Sequence, residues 1–126
     1  MTFNEQTYPH DVLRLFGGVN VFAGRERRYP MEADLDAGIA VLETPRDKRY
    51  PRISLSEIEQ AASELILLPD EPFDFKEEHA LDLYERLSAT PAAQGRRILL
   101  CDGSLITWHG TRLAKAIGQL PPLLFN

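Results

Sequence analysis

Two unbroken apolar runs organise the second half of the chain. Leu65-Ile66-Leu67-Leu68 ends in Pro69-Asp70-Glu71-Pro72, and Ile98-Leu99-Leu100-Cys101 ends in Asp102-Gly103. Short apolar runs closed by turn-forming residues read as buried strands. Between them Ala80, Leu83, Tyr84 and Leu87 recur at helical spacing, with Asp74 and Glu77 ahead of them as a capping pair. Strand, turn, helix, strand, turn is a parallel βαβ unit. Such units place ligand-facing residues in the loops at the carboxyl ends of their strands. Residues 70–73 and 102–109 are therefore the expected functional positions.

The first half is less regular. Residues 9–16 read as a short helix whose Tyr8, Val12, Leu15 and Phe16 share a face and which Gly17-Gly18 stops. Residues 19–23 alternate as a brief strand, with Val19, Val21 and Ala23 facing one way. Residues 25–52 read as a long loop with some extended structure, of which residues 39–42 are a candidate short strand. Ser54 and Glu57 form a capping box for a helix striped by Leu55, Ile58, Ala62 and Leu65. Residues 89–95 read as a linker, and a last helix is expected over about 107–119, ended by Pro121-Pro122. The order predicts one α/β domain over residues 1–126, a three-layer sandwich with a small, mostly parallel Rossmann-like sheet. Three or four strands make a thin sheet, so the pattern has the look of one lobe of a larger protein.

The composition, 44% hydrophobic and 26% charged, suits a folded domain with an ordinary surface, and a net charge of −5 argues against a nucleic-acid footprint. Basic residues gather in two small knots, 25–28 and 46–49, each interrupted by an acid. They read as solvated loop charges, with a local anion contact as the alternative. Cys101 is the single cysteine, which excludes an intrachain disulfide and suggests a small buried hydrophobe. No run approaches the length of a membrane span, and the first residues lack the regions of a signal peptide. Two locations follow as expectations: cytoplasmic if Met1 is the true start, periplasmic or otherwise extracytoplasmic if the chain is a piece of a longer secreted protein.

Several segments, in order, resemble the C-terminal lobe of class III substrate-binding proteins, the helical backbone metal receptors that serve ABC importers of cobalamin, haem and ferric siderophores. They are Tyr8-Pro9-His10-Asp11-Val12-Leu13-Arg14-Leu15 with Gly17-Gly18-Val19-Asn20-Val21-Phe22; Arg49-Tyr50-Pro51-Arg52-Ile53-Ser54 leading into Glu57-Ile58; residues 65–73; and Asp102-Gly103 with Trp108-His109-Gly110-Thr111-Arg112. The resemblance covers nearly the whole chain and rests on order and spacing rather than on one motif. It implies a non-catalytic solute binder that holds a metal chelate between two lobes, with no cofactor of its own. The implied partners are an ABC permease, the chelate, and either a missing N-terminal lobe or a second copy of this chain. A half-built cradle would also leave apolar surface open, favouring self-association or modest stability.

The resemblance assigns Tyr50 to the ligand face, with Arg52 as a neighbouring anion contact; half-buried packing is the alternative for Tyr50. Trp108 and Arg112, four apart, would set a flat surface beside a cation, or Trp108 fills core or lobe interface. His109 would face the cleft, or pack with Leu113. Glu71 and Phe73 are the better cleft residues of their loop, because Pro69 and Pro72 stiffen it. Asp70 and Asp102 face the cleft or cap the turns after their strands, and capping is the safer reading for Asp102 before Gly103. The family's transporter-docking acid falls at Ser56, leaving its neighbours Glu57 and Glu59 as docking candidates. Two other classes compete. A small hydrolase would use His10, Asp102 or His109 as acid or base, but no HExxH, nucleophile elbow or phosphate loop is present. A cytoplasmic α/β interaction or signalling module would use Asp70 and Asp102 as an acidic pocket, yet the lysine such a pocket needs is replaced by Lys115 inside the expected last helix.

Overall fold

The computed structural model describes residues 1–36, 38–71 and 73–104. The expected last helix, with Trp108, His109 and Arg112, lies outside the described residues. Those described form a small mixed helix–strand structure around a two-stranded parallel sheet: α1 (Tyr8–Leu15), α2 (Met31–Leu35), α3 (Leu55–Ala61), β1 (Ile66–Pro69), α4 (Glu77–Arg86), α5 (Pro91–Gln94) and β2 (Ile98–Cys101).

The βαβ unit is the ordered heart of the chain. Ile66 pairs with Ile98 and Pro69 with Cys101 in parallel register, and α4 packs on β2. Leu68, Ala80, Ala92 and Ile98 are buried together, with Ile66, Phe75, Leu83 and Tyr84 against them. Tyr84 fastens the crossover helix to the sheet. Its hydroxyl donates to the Ile98 carbonyl at 3.1 Å and accepts the Ile98 amide at 3.0 Å. A buried backbone pair is thus satisfied by one side chain, as burial demands.

α1 begins at Thr7, whose hydroxyl accepts the His10 amide, with Pro9 in its first turn. It ends as expected at Gly17, whose φ of 88° is the left-handed conformation that glycine adopts freely. The capping box of α3 is present as read from the sequence: Ser54 Oγ accepts the Glu57 amide at 3.1 Å and Glu57 reaches back to the Ser54 amide.

Four expectations are corrected. Residues 19–23 form no strand: 19 and 20 are irregular and 21–24 turn, because Asn20 competes for the backbone, its Oδ1 accepting the Phe22 amide at 2.9 Å and its Nδ2 donating to the Phe3 carbonyl at 2.8 Å. Residues 39–42 form no strand; Leu42 makes one backbone bond, to Tyr29, and Val41 and Leu42 stand more than half exposed. The helix after β1 is capped at Lys76 rather than Asp74, with His79 Nδ1 accepting the Lys76 amide at 2.9 Å. Phe75 packs into the core and holds the preceding chain out of helix. The linker over 89–95 contains α5, which Thr90 caps and Pro91 starts.

The region between α1 and α3 is not a free loop. Backbone bonds run from Thr2 to Pro51, from Asn4 to Arg49 and from Arg27 to Lys48, each 2.9 Å. They lay the two basic knots side by side, and α2 sets Asp34 against the first of them.

Candidate functional site

Two groups of residues stand out. The first lies at the carboxyl end of the sheet. Asp70 Oδ1 accepts the Gly103 amide at 2.8 Å, and Asp102 Oδ1 accepts both the amide (3.0 Å) and hydroxyl (2.6 Å) of Ser104. Asp102 caps its own turn, the reading favoured for it from sequence, whereas Asp70 ties the two strand-end loops together. The two strand-end loops touch closely: a Cβ on Gly103 would stand 2.9 Å from the Glu71 amide nitrogen and 3.0 Å from its carbonyl oxygen. Glu71 is half-buried at this junction. Phe73 is 54% exposed, its ring edge-on to Phe75 at 4.7 Å and to His79 at 5.3 Å. The loop thus displays a half-exposed aromatic ring on a tethered base. Beneath it, burial first and then the Asp70 and Asp102 charges push the Cys101 thiol up to about 11.

The second group surrounds Asp34, whose side chain is fully buried on α2. Its Oδ1 accepts Arg25 Nη1 at 2.9 Å and the Arg28 amide at 3.0 Å; its Oδ2 accepts the Arg52 amide at 2.7 Å. Arg27 Nε and Arg52 Nε stand 3.9 and 3.8 Å from Oδ2. Arg25 and Arg28 also hold the Asp34 carbonyl. Arg25 then bridges to Glu57 Oε2 at 3.0 Å and to the Arg52 carbonyl at 3.1 Å. Burial works to raise the Asp34 pKa, but the Arg52 and Arg28 amides and the Arg25 guanidinium outweigh it and hold the carboxyl below its ordinary value. Beside this group Tyr29 is buried, donates to the Asp47 carbonyl at 2.7 Å, and lies under Arg46 at 4.5 Å.

The expected site residues therefore divide. Arg52 and Glu57 belong to the Asp34 group, and Tyr50 is half-buried beside it, under the Arg49 guanidinium at 5.6 Å. Glu71 and Phe73 belong to the sheet end. Of the two docking candidates, Glu57 is spent on Arg25 and Ser54, whereas Glu59 is exposed. The first basic knot is not a set of solvated loop charges, since Arg25 and Arg28 close on a buried acid; the second keeps that character, with Arg49 and Asp47 paired in the open. The central residue, Asp34, was not singled out from sequence. An acid between two arginine knots is the only signal it offers, and burial is a property that no local pattern states.

Among the described residues no group of His, Cys, Asp and Glu could hold a metal ion, and no described helix is long and apolar enough to cross a membrane. No protein-family model, curated protein or solved structure matches the chain.

Proposed function

We propose that this chain is one lobe of a solute-binding protein that grips a bulky metal chelate, cobalamin, haem or a ferric siderophore, without transforming it, and hands it to an ABC permease. The observation that carries the reading is the tethered loop at the carboxyl end of a parallel βαβ unit, which offers the half-exposed ring of Phe73. A preset aromatic loses little freedom on binding and lies flat against a macrocycle or a catecholate. Capture needs no nucleophile or base, only shaped apolar and polar surface on rigid supports. In this reading the described unit belongs to a three-layer Rossmann-like lobe, working outside the cytoplasm. A second lobe or second copy would cover apolar side chains such as Val19, 90% exposed, and Val21. Glu59 is the acid open to a permease.

Equilibrium dialysis of the chain against cyanocobalamin, hemin and a ferric siderophore, read by the visible absorbance of each, tests this. Saturable retention of one of them, weakened at least tenfold by Phe73→Ala, is expected. Retention of none overturns the proposal.

A further inference from the structure

The arginine group carries charge that the fold does not use. Arg25, Arg27, Arg28 and Arg52 bring four positive charges to Asp34 and Glu57, which bring two negative. Residues 37, 72 and 105–126 contain no Asp or Glu, so no side-chain carboxylate from outside the described residues cancels the surplus. The acceptors at the centre are already taken: both Asp34 carboxylate oxygens and its carbonyl receive N–H donors.

The donors, by contrast, are in excess. Among the described residues, the Nε atoms of Arg27, Arg28 and Arg52 are buried without a hydrogen-bond partner. The 3.8 and 3.9 Å separations from Asp34 are too long for a bond. Among the described residues the Arg27 guanidinium has a distant sulfur contact, Nη1 to Met1 Sδ at 4.0 Å, and lies 5.6 Å from the Tyr29 ring centre, and Arg52 spends Nη2 on the Met31 carbonyl. The side chains of Arg27 and Arg52 are 20% and 32% exposed, so their tips meet solvent. Converging guanidinium forks with open N–H groups and two unbalanced charges match a doubly charged oxyanion, which accepts several such forks at once.

We propose that Arg27, Arg28 and Arg52 form a binding site for a phosphate dianion, free or carried as a phosphate monoester, with Asp34 as the fixed acid that spaces them. This site contains no residue of the Phe73 loop and does not depend on the solute-binding reading.

Isothermal titration of the chain with inorganic phosphate and with glycerol 3-phosphate, at pH 7.5 and ionic strength matched with chloride, tests it. Saturable binding of either supports the site, and tighter binding of the ester marks its ligand as a carried headgroup. Arg27→Gln and Arg52→Gln should each weaken binding at least tenfold; the Arg52 bond to Asp34 uses the backbone amide and survives the change. Arg49→Gln, in its exposed pair with Asp47, should leave binding unaltered. Absence of saturable binding over the chloride control, or an equal loss in Arg49→Gln, overturns the proposal. Should the two glutamine variants fail to fold, phenylglyoxal labelling of the unaltered chain decides. Phosphate must protect Arg27, Arg28 and Arg52 but not Arg49 or Arg86; equal labelling with and without phosphate rejects the site.

Discussion

Asp70 accepts the amide of Gly103 at 2.8 Å, which ties the loops following β1 and β2 across 33 residues of sequence. The parallel ladder brings these loops together; the carboxylate then holds them. The Asp70 amide in turn donates to the Cys101 carbonyl at 3.2 Å, extending the ladder by one bond past the strands. The aromatic loop beginning at Phe73 therefore starts from a fixed point.

The same junction leaves no room for a side chain at position 103. Gly103→Ala would drive a methyl group into the Glu71 backbone, 2.9 Å from its nitrogen, and backbone cannot swing aside as a long side chain does. A loss of about 1–3 kcal/mol is expected, the usual cost of overpacking. Urea denaturation checks it, and a variant as stable as the parent would contradict the close approach.

Removing the acid at the centre of the arginine group should be more costly. Asp34→Asn keeps the shape but leaves Arg25, Arg27, Arg28 and Arg52 facing one another around a neutral amide. Breaking a buried ion pair by taking one partner costs about 3–5 kcal/mol. Chemical denaturation in dilute buffer measures the loss. Added phosphate, bound at the arginine group, should restore part of it.

Asp34 also sets a pH dependence. Its folded pKa lies below the unfolded carboxylate value, so its stabilisation is complete above about pH 4 and fades as pH falls through the folded pKa. Denaturation midpoints followed downward from neutral pH should fall steeply below about pH 4. The fall should be shallower in Asp34→Asn, which has no proton to take up there. Identical acid limbs in the two proteins would be the contrary result.

The Cys101 thiol, raised to about 11 by burial and by Asp70 and Asp102, should be sluggish. The thiolate is the reactive form, so alkylation by iodoacetamide at pH 8 should run about a hundredfold slower than that of a cysteine peptide. Urea should abolish the difference. A rate within a few-fold of the peptide in the folded chain would deny that the thiol is sheltered under the strand-end loops.

Local patterns determined the elements that rest on local causes. Ser54 and Glu57 announce α3, Gly17 stops α1, and the runs around Leu68 and Leu100 announce two parallel strands, because capping and burial of short apolar runs are read from neighbours in sequence. Glu71 and Phe73 were legible as strand-end residues for the same reason. Only the tertiary structure decided that the alternation of residues 19–23 yields to the turn built by Asn20, that Glu57 is drawn to Arg25, and that Asp34 is enclosed by arginines 6 to 18 residues away. Whether an acid is solvated or enclosed depends on which distant segments close over it, and here that closure rests on backbone bonds between residues 2–4, 27 and 48–51.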